Sequence, residues 1–580
     1  MTPACRIPRI RHPASVLWSA LVLTALAAAA LPSPAALPGV FSVHDYGAAG
    51  DGRTLDTAAI NKAVEACSAA GGGQVLLPPG KYLSGTVLLK SNITLRLDAG
   101  ARLVGSTDLE HYQNFTPPPD APEAKWLRWH RALILADGVE NVTLIGPGTI
   151  DGNKVFDPKG EERMRGPHTV LLGNSRGIAI RDLSIVDSAN YAVMLEFCQQ
   201  VEVRGVKITG GWDGVHFRGW PGRPCRDVSI VNCQFFTGDD SIAGRYWENV
   251  LVSGCVVNSS CNGIRLIGPA EHLIVHDCLF YGPGLHEHRS SKRNNMLAGI
   301  ILQPGAWDAT KGRLDDVLIS DVTMKDVTTP LSVTVKPGNT VGRIVVSHLT
   351  ATGVYRAASS VESWAETPIE EMVLRDASIE YEGGGMPPQG RTSIRSPGVD
   401  TRPLPAWGFY AKNVKRLRFE NVRLGCAKDD LRPVMICDDV ERLDLDGFRF
   451  SQTPAAPIAL ALNNVARLDA RDAGISMAGP QYVDVKLTPE SPSGPLRAGK
   501  PYSATVTVEN SGGDGLRRVE LSLAGRKAAR WVWLKPNEKK EVVFQGLTAP
   551  EAGTHQLRAG GLPRTVLVEP APENRQPKKP

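Results

Sequence analysis

The middle of the chain alternates apolar and polar residues in short runs, each followed by Gly, Asn, Asp or Ser. The runs Ile178-Ala179-Ile180, Val201-Glu202-Val203, Val228-Ser229-Ile230, Val250-Leu251-Val252 and Leu273-Ile274-Val275 begin 23, 27, 22 and 23 positions apart. The series resumes at Val317, Ile344 and Met372, and again at Leu417, Leu443 and Leu468. Two longer intervals, from 273 to 317 and from 372 to 417, each predict either an additional coil or a large loop. A period of two means short, half-buried strands. A repeat near 25 residues means coils that stack and bury one another's apolar faces. The fixed Leu lattice of a leucine-rich repeat is absent, so the pattern predicts an all-β parallel β-helix, a solenoid with turns of variable length. Asn232, Gly254 and Asp277 share one register, where a corner is expected, and Cys233, Cys255 and Cys278 follow it.

A solenoid needs its open ends covered. Asp56 to Ala66 reads as an amphipathic helix with Ile60, Ala63 and Val64 on one face, Asp56 placed to cap its N-terminus. That helix is a lid for the first coil. Beyond about Gly474 the alternations lengthen, as in Val483–Leu487, Tyr502–Val508 and Val519–Leu523, with a turn at Asn510-Ser511-Gly512-Gly513. Residues 476–569 are therefore expected to form an immunoglobulin-like β-sandwich after a β-helix catalytic domain over 37–475. Trp531 and Trp533 share one face of a strand and suit either a sugar-binding strip or core packing. The domain's role in glycan binding, bracing or dimerisation stays open. The Pro- and Lys-rich stretch 570–580 is expected to be disordered.

Residues 1–36 carry Arg6, Arg9 and Arg11, an apolar run from Val16 to Leu31, and small residues at Ser33, Ala35 and Ala36. This is the order of a secretory signal peptide, and the run is short for a bilayer span. Export to the periplasm or the extracellular space is expected, with no stable membrane insertion. The 580 residues include 65 Lys and Arg against 60 Asp and Glu. Without the three leader arginines the balance is nearly neutral, so no nucleic-acid partner is expected. Nine cysteines follow the leader, an odd number that leaves at least one unpaired in a monomer. Cys233, Cys255 and Cys278 form either one bridge or, as favoured, a buried stack. No Cys/His spacing resembles a zinc site, and neither a metal nor a cofactor is called for. Oligomeric state is open.

Gly238-Asp239-Asp240 ends one coil strand, and Trp212-Asp213-Gly214 lies one coil earlier. Asp213 and Asp240 are 27 residues apart, one local coil length, so stacking brings three carboxylates together. Close like charges raise at least one pKa, and one protonated acid beside one ionised base suits glycosidic hydrolysis. Asp-Asp pairs also occur at 315, 429 and 438, where a turn explains them, and calcium is another use for such a cluster. His216, Arg218, Trp220, Arg245, Trp247 and Arg265 fall in the same coils and are candidate sugar contacts. The polar group His286, His288, Arg289 and Lys292 is either a loop over the same groove or plain surface.

The stretch from Phe41 to Gly52, with Asp56-Thr57-Ala58-Ala59-Ile60 and Leu77–Tyr82 after it, resembles the entry segment of pectate-lyase-like right-handed β-helix proteins. The centre resembles glycoside hydrolase family 28, the polygalacturonases, over roughly Phe41 to Ile475. That resemblance implies a right-handed helix and an inverting hydrolase acting on a pectic or related polysaccharide or oligosaccharide. It makes Asp239 the general acid, with Asp213 and Asp240 activating water. The family's Asn-Thr-Asp-Gly is reduced here to Gly211-Trp212-Asp213-Gly214. Its Gly-His-Gly aligns with Cys261-Asn262-Gly263, and its carboxylate-gripping Arg-Ile-Lys with Ile301-Leu302-Gln303. Asn262 and Gln303 thus stand as substrate-contact candidates in place of charged residues. A uronate without its cation partners is bound poorly, so either other arginines rebuild the grip or the sugar is neutral. A non-catalytic carbohydrate-binding or adhesion solenoid and a β-helix polysaccharide lyase are the competing readings.

Overall fold

The computed structural model describes residues 39–116, 130–386, 394–475, 480–489 and 495–571. The expected leader and most of the C-terminal tail lie outside the described residues. The repeating runs from Ile178 to Leu468 are strands, and consecutive ones pair in parallel. Ile178 lies beside Val201, Val201 beside Val228, and the ladder continues through Val250, Leu273, Val317, Ile344, Met372, Leu417 and Leu443 to Leu468. Leu273 pairs directly with Val317 and Met372 with Leu417, so no coil is hidden in the long intervals. They hold large excursions between adjacent coils.

Two further parallel ladders complete each coil. One contains Lys207–Thr209, Gln234–Thr237 and Val256–Ser259; the other contains Val215–Arg218, Ile242–Arg245, Asn262–Leu266 and Ala298–Leu302. Inward residues alternate with outward ones, which gives one continuous apolar core along the right-handed β-helix.

The corner after the first ladder is a column of left-handed residues. Asp182, Gly205, Asn232, Gly254, Asp277, Asp321, His348, Asp376, Asn421, Gly447 and Asp472 all have φ between 46° and 64°. Gly, Asn and Asp tolerate this region best, which is why those residue types recur there. The cysteines that follow, Cys233, Cys255 and Cys278, are buried thiols, and all nine cysteines among the described residues are unbridged. In this structure the three form the buried stack.

The lid helix spans Thr57–Ala69 and buries Ile60, Ala63, Val64 and Cys67. Asp56 precedes it, but its carboxylate does not cap the helix. It accepts from the backbone N–H groups of Ala49 (2.7 Å) and Gly50 (3.2 Å), tying the entry loop to the lid.

At the other end, two antiparallel sheets share a core. One holds Gln481–Pro489, Pro501–Glu509 and Lys539–Thr548; the other holds Gly515–Leu523, Arg526–Leu534, Gly553–Ala559 and Leu562–Val568. Leu462 of the last coil pairs antiparallel with Trp531, and Leu516, Trp531 and Trp533 join the solenoid core. The two tryptophans close the open end of the helix, and their face packs against the last coil. No described helix is long and apolar enough to cross a membrane.

Candidate active site

The turn between the second and third strands of each coil carries the acids. Val215 pairs with Ile242 and Ile242 with Ile264, which puts Asp213, Asp240 and Asn262 in one column. Close coil approach fixes this turn. A Cβ on Gly211 would fall 2.0 Å from the Ser188 hydroxyl oxygen, and one on Gly238 would fall 2.4 Å from the Gly211 carbonyl oxygen. The Asp239 carbonyl accepts from the hydroxyls of Thr237 (2.8 Å) and Ser259 (2.7 Å), which pins the backbone beneath the carboxylate.

Asp213, Asp239 and Asp240 line one cavity of about 250 Å³ with His216 and Arg265. Tyr191, Ala243 and Ile267 add to this wall, and the rest comes from three segments outside the strand ladders. Glu161, Glu162 and Arg165 arrive from the loop before His168. His288, Ser290, Ser291 and Arg293 come from the first long interval, with Trp307 beyond them. Val399 and Asp400 come from the second. The large loops that interrupt the repeat are therefore what enclose the acids.

Arg165 is the central cation. Its guanidinium donates to Asp239 Oδ2 (2.9 Å) and Glu162 Oε1 (2.6 Å) and lies 3.7 Å from the centre of the Trp212 ring. His288 Nε2 is 3.5 Å from the same Asp239 oxygen. Burial alone would raise the Asp239 pKa, but the His288 hydrogen bond and the Arg165 charge outweigh it and hold Asp239 well below the usual carboxylate range.

Asp213 is the opposite case. Burial, then the charges of Asp239 and Asp240, push its pKa well above the usual range. Its Oδ2 is 2.8 Å from His216 Nδ1. That imidazole is held neutral by burial and by Arg218 and Arg245, and it stacks on Tyr191 at 4.3 Å with the rings parallel to 1°. Asp240 is also raised by burial, with Arg265 pulling the other way. Asp240 accepts from Asn262 Nδ2 (2.8 Å) and backbone N–H (3.0 Å), and Arg265 Nη1 is 3.4 Å away. The site thus sets one carboxyl group whose pKa is held down beside two whose pKa values are pushed up.

The other sequence candidates are placed elsewhere. Asn262 sits behind Asp240 as its hydrogen-bond donor. Gln303 donates to the Val399 carbonyl (3.2 Å) and so supports the loop over the cavity. Arg218 faces Glu196 (3.3 Å), and Arg245 pairs with Asp308; both are buried outside the cavity. Trp247 packs in the solenoid core against Phe217. Trp220 lines a separate hollow of about 380 Å³ with Tyr246 and Lys311. These four are not brought to the acids, because their register lies at the far end of the third strand or beyond it. Arg165, Tyr191, Glu162 and Arg293 carry no periodic signal that sequence spacing could have picked out. His288, of the polar group from His286 to Lys292, enters the cavity, so this segment is a loop over the groove.

A family model described as "Rhamnogalacturonase A/epimerase, pectate lyase-like" matches residues 40–282. The chain is 29% identical over 217 residues to a "Probable polygalacturonase" of Vitis vinifera, covering 35% of this chain and 43% of that protein. It is 29% identical over 265 residues to an exo-poly-alpha-D-galacturonosidase of Dickeya chrysanthemi, covering 36% and 42%. The matches thus span about two fifths of the length of these curated relatives. Among solved structures, an exopolygalacturonase of Thermotoga maritima aligns over 74% of this chain and 92% of its own, at 17% identity and a TM-score of 0.43. The surface adhesin PfbA of Streptococcus pneumoniae aligns over 70% and 93%, at 17% identity and a TM-score of 0.44.

Proposed function

We propose that this pectate-lyase-like right-handed β-helix protein, a distant relative of the family 28 polygalacturonases, is a secreted glycoside hydrolase that releases a neutral sugar by inversion. The observation that carries the reading is the pair of opposed environments: the His288 hydrogen bond and the Arg165 charge hold the Asp239 pKa down, and burial pushes the Asp213 pKa up. Carboxyl groups whose surroundings drive their pKa values apart mark the acid and the base of such a reaction. Asp213 donates its proton to the glycosidic oxygen as that bond to the anomeric carbon breaks. Asp239 takes a proton from the water that attacks the opposite face. Asp240, held by Asn262 and Arg265, orients that water. This division reverses the roles that the family resemblance implies for Asp213 and Asp239.

The charge count supports a neutral sugar. Six carboxyl groups line the cavity, those of Glu161, Glu162, Asp213, Asp239, Asp240 and Asp400, against three arginines. The arginines are already engaged: Arg165 as above, Arg265 with Asp240 and the Val399 carbonyl (2.8 Å), Arg293 with Ser260 and Cys261. A uronate would bring a further buried anion to a cavity where, among the described lining residues, all three arginines already have hydrogen-bond partners. The volume is below the roughly 300–1,000 Å³ of drug-sized sites and suits one sugar ring.

The test is product release from polygalacturonate, rhamnogalacturonan, galactan, arabinan and small aryl glycosides, comparing the native chain with Asp239→Asn. Release is expected from neutral-sugar substrates and not from polygalacturonate, with a fall of about 10²–10⁴ in the variant. No release, with equal sugar binding by both proteins, would leave a carbohydrate-binding solenoid. Unsaturated products would mark a lyase.

A further inference from the structure

We propose a second binding site, for a carboxylated oligosaccharide, in the cleft between the last coil and the C-terminal domain. This cleft of about 950 Å³ shares no residue with the acidic cavity. Its floor is the outward face of the sheet built from Gly515–Leu523. There Ser522 pairs with Lys527 on one side and Arg558 on the other. Two cations therefore flank a hydroxyl in a row about 10 Å across, two strand spacings.

The acids of the cleft are already engaged. Glu520 is bonded by Arg518, and Asp439 accepts from Asn464 (2.8 Å) with Lys412 at 3.6 Å. Lys527 and Arg558 have no carboxylate partner among the described residues. A third cation, Arg530, lies 5.5 Å from the Phe544 ring in the same wall. The cleft runs on into a hollow of about 450 Å³ that shares Arg518 and Ala466 and is lined by Trp531. Trp531 is 8% exposed, and its indole N–H has no acceptor among the described residues.

Surplus positive charge, a hydroxyl and an unfilled N–H donor call for an extended anion rich in oxygen acceptors. That the anion is a glycan carboxylate rests on the glycan reading above; the need for an anion does not. The two sites together describe an enzyme that grips an acidic polymer at one end and removes neutral sugars at the other.

Calorimetry on full-length Asp239→Asn tests this with a short oligogalacturonate and its methyl ester. The acid should bind and the ester should not. Adding Lys527→Ala and Arg558→Ala should weaken binding at least tenfold without moving the melting temperature, since both side chains are exposed. Trp531→Phe should weaken it less. Equal binding of acid and ester, or an unaffected double variant, would overturn the site. A sulfated oligosaccharide binding more tightly than the carboxylated one would overturn the ligand assignment. In the otherwise native chain the double variant should release sugar from small neutral substrates at the native rate, so failure of this site and failure of the hydrolase reading appear in different readouts.

Discussion

Along the ladder from Ile178 to Leu468, each inward residue has its counterpart in the coil before and the coil after as neighbours. Around the acidic cavity, Asp239 instead meets Arg165, 74 positions earlier, and His288, 49 later. The first arrangement is repetition: any one coil states the rule for the next. The second is built where repetition fails, in the two long intervals and in the loop that carries Glu161 to Arg165. The solenoid supplies spacing, and the interruptions supply chemistry.

If that contrast holds, damage to the ladder should cost stability and damage to the loops should cost activity. The largest stability effect is expected from Phe217→Ala. Phe217 is fully buried and packs on Trp247 at 4.9 Å between ring centres. The loss should be about 3–5 kcal/mol in chemical denaturation, because coils above and below cannot collapse into the gap without breaking register.

Arg165→Gln probes the other side. Without the guanidinium, the Asp239 pKa should rise, so the acid limb of the pH–rate profile should move to higher pH. Activity at the native optimum should fall by about ten- to a hundredfold, up to the low end of the ~10²–10⁴ that a general base supplies, because the base itself is still present. Denaturation should change much less than for Phe217→Ala. Movement of the alkaline limb instead would return Asp239 to the role of acid.

The corner column gives a smaller and more local test. Gly254 has φ of 64°, and a Cβ there would lie 2.3 Å from Asn232 Oδ1. Gly254→Ala should cost about 1–2 kcal/mol from the left-handed backbone, with additional loss from that contact, and sugar release should be unchanged. Gly205→Ala, in the same column, should behave alike.

The same contrast explains what the sequence could and could not disclose. Ile178, Val228 and Leu468 announce themselves by period because each repeats one physical demand, an apolar side chain on the inner face of a coil. Asp213 and Asp240 are visible for the same reason, being one coil apart in register. Arg218, Trp220, Arg245 and Trp247 share those coils, yet proximity along the chain did not bring them to the acids. A strand of four residues is long enough to carry its far end away from the turn, and alternation points Trp247 inward. Arg165 and Glu162 lie outside any register, so only the folded loop brings them in. Trp531 and Trp533 show a further limit. Alternation places them on one face, but whether that face meets sugar or the last coil depends on how the domain docks.

The last test concerns what the cavity costs the fold. Asp213 has a folded pKa raised above its ordinary value of 3.8, by burial first and by Asp239 and Asp240 next. Folding therefore binds a proton at this site between the two pKa values, and stability from this group falls as pH rises through that window. It is intact below 3.8 and lost as pH climbs toward the folded value. Asp239 runs the other way, contributing above its unfolded pKa and losing that contribution in acid. Asp213→Asn freezes the neutral form, so it should abolish sugar release while raising the stability of the chain near pH 7. The difference from native should shrink as pH falls toward 3.8. A melting series from pH 4 to 8 reads this directly. A variant less stable than native at every pH would mean that the Asp213–His216 contact contributes more to folding as a hydrogen bond than the buried acid takes away.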